Sequence, residues 1–144
     1  MANGDALFLV PLTSSTAAQE ALLVAGEAAR ARHGSVLATF VIEVGHDRPI
    51  DAELDAESRR GETVLRRAER AATEHQFKLE SDLLQARSAG RAIVDEARRR
   101  NAVAIVIGVG AARHGTFDAG GTADYLLRKA PCQVWLIREG APAE

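Results

Sequence analysis

The stretch Ala104-Ile-Val-Ile-Gly-Val-Gly-Ala-Ala-Arg-His-Gly-Thr-Phe-Asp-Ala-Gly-Gly-Thr122 decides the fold: an apolar run passes into a glycine-bearing loop and then into a helix. Read as a strand that stops at Gly108 and a helix capped by Thr122, it offers backbone N–H groups and the positive end of a helix dipole. Phosphate is the natural guest. The glycines at 108, 110, 115, 120 and 121 equally suit a turn that only packs a helix against a sheet. Neither Gly-x-x-x-x-Gly-Lys-Ser/Thr nor an early Gly-x-Gly-x-x-Gly is present, so a phosphate site here is not of the P-loop or dinucleotide kind.

Outward from this stretch, two periodicities alternate. Leu7 to Leu12 is a continuous apolar run of the kind a strand covered on both faces requires, followed by Thr13-Ser-Ser-Thr16 and an alanine-rich helix ended by His33-Gly34. Val36 to Val44 is a second such run. A long helix follows over Ala52 to His75, with Val64, Leu65, Ala68 and Ala72 at helical spacing and an interruption at Gly61. Phe77 to Ala86 alternates Lys78, Glu80 and Asp82 with Leu79 and Leu83, which predicts an edge strand with one wetter face. Ser88 suits the N-cap of a helix from Ala89 to Arg100 with a stripe of Ala92, Ile93 and Ala97. Val103 to Ile107 predicts the central strand, Ala123 to Ala130 a helix stopped by Pro131, and Cys132 to Ile137 the last strand.

Parallel neighbours need crossovers, and right-handed crossovers put helices on both faces. The pattern therefore predicts an α/β doubly wound, five-stranded parallel sheet of order 3-2-1-4-5, as one domain over residues 1–138 with a disordered tail at 139–144. Winding reverses between the first and fourth strands, and ligands in such folds sit outside the strands' carboxyl ends at that point. Leu12 and Thr13 would face the glycine loop there.

At 144 residues, with a formal charge of −2, nothing global draws the chain to nucleic acid or an anionic membrane. The arginine pairs and triplet at 59–60, 66–67 and 98–100 lie among acids in helical segments and read as solvated faces. No apolar run approaches the roughly 20 residues that span a bilayer, no signal peptide opens the chain, and one cysteine forms no internal disulfide, so a cytoplasmic setting is expected. Cys132 has no nearby histidine and reads as a small buried hydrophobe. The histidines at 33, 46 and 75 lack carboxylates at ligand spacing, so no metal is expected beyond Mg accompanying a nucleotide.

With Gly108-Val-Gly-Ala111, nine residues and Gly121-Thr122, the chain resembles the universal stress protein (UspA) family over essentially its whole length. Leu9-Val-Pro-Leu12, Thr122-Ala-Asp-Tyr-Leu-Leu-Arg-Lys-Ala-Pro-Cys132 and Val134-Trp-Leu-Ile137 add to the likeness. Ala86-Arg-Ser-Ala-Gly-Arg-Ala-Ile-Val-Asp-Glu-Ala97 is further similar to stress-protein domains at the cytosolic end of amino-acid permease-type transporters.

The resemblance implies an adenine nucleotide alpha hydrolase-like, Rossmann-like fold that binds ATP or AMP without being an enzyme. It places the ligand at Val41, Gly108, Ala111, Gly121 and Thr122, to which the switch point adds Leu12 and Thr13, a shifted loop path Gly110, and positive charge over a triphosphate Arg113. Two positions depart from the family pattern: Ala111 stands for its second glycine, and Thr13 for its aspartate after the first strand. An alanine forced to positive φ costs roughly 1–2 kcal/mol, and 1.4 kcal/mol is about tenfold in affinity, so weakened binding is expected. The rival expectation is a nucleotide-free module acting through protein contacts, such as docking to a transporter. In either case an apolar last strand at the sheet edge, Val134, Trp135, Leu136 and Ile137, together with the resemblance, implies a homodimer.

Overall fold

The first helix lies over two strands that are apolar along their whole length, and its stripe of small residues lets it come close to them. The computed structural model describes residues 5–110 and 120–140. Its elements run β1 (Leu7–Pro11), α1 (Thr16–Ala31), β2 (Ser35–Glu43), α2 (Asp55–His75), β3 (Lys78–Ala86), α3 (Ala89–Arg99), β4 (Ala104–Val109), α4 (Gly121–Lys129) and β5 (Gln133–Arg138). The sheet has the order β3-β2-β1-β4-β5, and all four pairings are parallel.

Strand alternation splits the core in two. Phe8, Val10, Val36, Ala38 and Val106 face α1 and α2, while Leu9, Leu37, Ile105 and Ile107 face α3 and α4. Phe8, Leu9, Leu37 and Ile105 are wholly buried, as central strands covered twice require.

Helix α1 buries Ala17, Ala18, Ala21, Ala25, Gly26 and Ala29 along one stripe. Its N-terminus is capped by Ser15, whose Oγ accepts the Ala18 N–H at 3.1 Å. Its C-terminus closes where His33 turns to φ 55° and the Gly34 N–H reaches the Ala29 carbonyl at 2.8 Å. Ser88 caps α3 as expected, accepting the Arg91 N–H at 3.3 Å.

The structure corrects the boundaries in physically instructive ways. Gly61 does not interrupt α2; it lies inside the helix, where an added Cβ would stand 2.3 Å from Leu83 Cδ1. β4 runs two residues past Ile107 to Val109, so it does not stop at Gly108. The buried stripe of α3 is Gly90, Ile93, Val94, Glu96 and Ala97, with Ala92 only half-buried. Glu139, placed in the tail by sequence, donates its N–H to the Val109 carbonyl at 2.9 Å; residues 141–144 lie outside the described ones.

Candidate functional site

The crossovers after β1 and β4 leave on opposite faces of the sheet, so the two strand ends part. A cleft of about 280 Å³ opens between them. Leu12, Thr13, Val41, Gly108, Gly121 and Thr122 all line it, bringing together six residues that the sequence placed at a ligand. Gly110 does not: it is exposed beyond the end of β4 and outside the cleft wall. Ala111 and Arg113 lie outside the described residues.

Local structure holds five of the six in ways that bear on the cleft. Leu12 donates its N–H to the Thr39 carbonyl at 2.8 Å, extending the β1–β2 pairing past Pro11. Thr13 is exposed, and its hydroxyl donates to Ser15 Oγ at 2.9 Å while accepting the Ser15 N–H at 3.2 Å. It therefore braces the cap of α1 as well as edging the cleft. Gly108 is where α1 crosses β4: an added Cβ would stand 2.1 Å from the Ala17 carbonyl oxygen. Packing alone requires that glycine.

Helix α4 opens two residues earlier than the threonine reading placed it. Gly120, at φ 91°, is the N-cap, and Gly121 and Thr122 are the first helical residues, so Thr122 is not the cap. Space is open around both glycines, with nothing within 4 Å of an added Cβ. The first N–H groups of a helix have no partner within the helix, and here they border the cleft. Asp124, the acid in the first turn of α4, pairs with Arg128 at 3.1 Å on an exposed face.

A neighbouring polar cleft of about 340 Å³ shares Gly121 and Thr122 and adds Glu43, Ser88 and Tyr125. There the Glu43 carboxylate accepts the Ala89 N–H at 2.8 Å, so the opening of α3 already holds an anion supplied by the protein. On the other sheet face, a cleft of about 180 Å³ between α1 and α2 is walled by Leu22, Val64, Ala68 and Ala71. Thr13, Ser14, Gln19, Arg67 and His75 add polar groups to its lining.

Sequence reasoning missed Thr39, Ile93, Ile107 and Gly120 on the main cleft. Thr39 was the one with a readable signal, the single hydroxyl within the apolar run from Val36 to Ile42 and two residues before Val41. Its Oγ1 is buried without a hydrogen-bond partner.

Two titratable features lie off the cleft wall. Asp82 is pushed up to about 6 by burial first, then by the hydrogen bond and charge of Glu96, against the pull of Arg100 and Arg99. Burial works to raise Glu96 too, but hydrogen bonds from Arg99 at 2.6–3.2 Å and with Asp82, and the two arginine charges, hold it below the usual range. Burial pushes the Cys132 thiol up, against a backbone hydrogen bond with Ile105, which suits a packing residue and opposes a thiolate role. Among the described residues no three His, Cys, Asp or Glu side chains group as metal ligands, and no helix is long and apolar enough to cross a membrane.

Residues 8–138 match the family model described as the universal stress protein family. The chain belongs to that family. Comparison with curated proteins returned no match. Among solved structures, a universal stress protein family member from Burkholderia pseudomallei is similar at 26% identity and TM-score 0.72, covering 92% of this chain and 95% of that one. The universal stress protein from Archaeoglobus fulgidus in complex with dAMP is similar at 24% identity and TM-score 0.74, over 92% and 97%. A universal stress family protein from Arabidopsis thaliana with AMP bound is similar at 17% identity and TM-score 0.67, over 96% and 97%.

Proposed function

We propose that this universal stress protein is a cytoplasmic regulatory protein that binds an adenine nucleotide, AMP or ATP, in the cleft between β1 and β4, and is not an enzyme. The carrying observation is the cleft itself, which joins Thr13, Val41, Gly108, Gly121 and Thr122 at the opening of α4. Phosphate oxygens would meet the first N–H groups of α4, where Gly120 and Gly121 add no side-chain bulk. The ring would lie over the apolar end, on Val41, Ile93 and Ile107. Similar structures hold dAMP and AMP, which supports the class of ligand. A Mg ion would enter only with a triphosphate. Among the described residues that line the cleft, none pairs a nucleophile with a base, which supports binding without turnover.

The test is whether denaturing the purified protein releases nucleotide, followed by melting curves with ATP, AMP and cyclic AMP. Ligand at 100 times its dissociation constant adds about 2.7 kcal/mol of stability. An unchanged melting curve at millimolar nucleotide overturns the reading.

The second reading, a nucleotide-free module acting through protein contacts, rests on β5. It closes the sheet with only β4 beside it, and Val134, Trp135, Leu136 and Ile137 are each half-buried in the single chain. Under either reading the same strand of a second copy pairs there, and a membrane transporter is the further partner that the 86–97 resemblance implies.

A further inference from the structure

Thr39 carries a cost that the fold alone does not explain. Its Oγ1 is fully buried and has no hydrogen-bond partner, although valine would fill nearly the same volume without stranding a polar atom. A buried hydroxyl usually finds a partner, and an exception calls for a reason. Thr39 lines the main cleft. By strand alternation it shares a face with Leu37 beneath it in the core and Val41 at the mouth. Its carbonyl is engaged by the Leu12 N–H at 2.8 Å, so the backbone is fixed and only χ1 is free to re-aim the hydroxyl.

The lining joins two kinds of residue: Gly108, Gly120, Gly121 and Thr122 suit an anion, and Val41, Ile93 and Ile107 suit a flat apolar ring. Thr39 sits on the strand that carries Val41 and adds a polar atom to that apolar set. A purine fits that combination, with two apolar faces and ring nitrogens along its edge.

We propose that the Thr39 hydroxyl is the base-reading group of this cleft, turning about χ1 on binding to donate a hydrogen bond to a ring heteroatom at the inner edge of the nucleotide. This rests on the nucleotide-binding reading above. A hydroxyl both donates and accepts, so it serves a ring nitrogen or an exocyclic amino group.

Titration calorimetry of the full chain with AMP and with ribose 5-phosphate, which has the sugar and phosphate but no base, separates the possibilities. Thr39→Val is expected to weaken AMP about five- to tenfold, the worth of one hydrogen bond, while ribose 5-phosphate changes by less than about twofold. The same variant melts higher without ligand, because the stranded hydroxyl is gone. Thr39→Ser keeps AMP affinity to within about twofold, and Thr39→Ala, measured in parallel, shows the loss with a smaller side chain. Unchanged AMP affinity in Thr39→Val and Thr39→Ala, or equal losses for both ligands, overturns the inference and leaves the nucleotide reading standing. A wild-type protein that binds neither ligand overturns both.

Discussion

Gly108 and Ala17 are in backbone contact across the junction of β4 and α1: a Cβ on Gly108 would stand 2.1 Å from the Ala17 carbonyl oxygen and 2.3 Å from its carbon. The neighbour is helix backbone, not a flexible side-chain tip, so α1 itself must move to admit a methyl group. Gly108→Ala is expected to cost about 3 kcal/mol, the upper end for overpacking a fixed contact. Urea unfolding measures it, and a cost under about 0.5 kcal/mol would show that the junction is looser than the structure has it.

Gly121 gives the opposite expectation. It is helical, without positive φ, and an added Cβ meets nothing within 4 Å. Gly121→Ala should leave stability unchanged or raise it by up to about 1 kcal/mol through helix propensity, while its methyl crowds the cleft and weakens AMP. Pairing the two glycine variants, one read by denaturant and one by calorimetry, separates the glycine that serves the fold from the one that serves the ligand.

Thr13 braces Ser15, and Ser15 caps α1. Thr13→Ala should lower stability by about 0.5–1 kcal/mol, or a melting shift of about 1–3 °C. Thr13→Asp should recover most of that, since a carboxylate accepts the Ser15 N–H and lies at the positive end of α1. It should also tighten AMP, because a carboxylate accepts from ribose hydroxyls more strongly than a hydroxyl does. Equal AMP affinity in the Asp and Thr forms would remove Thr13 from the site.

The Asp82 carboxyl sets a pH dependence. Raised from 3.8 to about 6 in the fold, it binds its proton more tightly folded than unfolded. The stability it contributes is therefore full below about pH 4 and is lost as pH rises through about 6. Asp82→Asn should be more stable than wild type at pH 7–8, with the difference shrinking below pH 6. Glu96 has the opposite sign: held below its ordinary value of 4.5, it contributes above that value and is lost only in stronger acid. Melting temperatures across pH 4–8 in both proteins check the window. A constant difference would detach the effect from Asp82.

The β5 edge predicts a dimer in solution. Trp135→Lys and Leu136→Lys, one from each face of the strand, should give a monomer by light scattering with an unchanged far-ultraviolet spectrum. A dimer that survives both places the interface elsewhere.

The strand order was readable because β1 and β4 are apolar on every residue from Leu7 to Val10 and from Ala104 to Ile107, whereas β3 alternates with charge. What stayed hidden depends on partners distant in sequence. Gly61 looks like a break until Leu83 and Phe40 are seen pressed against it. Glu96 looks like a surface acid of α3, yet it is 6% exposed because Arg99 and Asp82 close over it. The opening of α4 is set by the positive φ of Gly120, which two consecutive glycines leave ambiguous, so Thr122 drew the cap assignment. At the site, topology located the cleft, but no local pattern reveals that the Thr39 hydroxyl is left without a partner.

Trp135 is the one tryptophan of the chain. Its ring meets Phe8 edge-on at 5.3 Å, and the Arg32 guanidinium lies 5.8 Å from its centroid. It thereby joins β5, β1 and the end of α1 on the face opposite the one that carries Val41 and Ile107. Its emission is a built-in optical gauge of whether that side of the sheet is assembled. A nucleotide that only fills the cleft should leave the emission dark to its arrival, so a spectral response on binding would mean that occupancy is transmitted through the sheet toward the β5 edge.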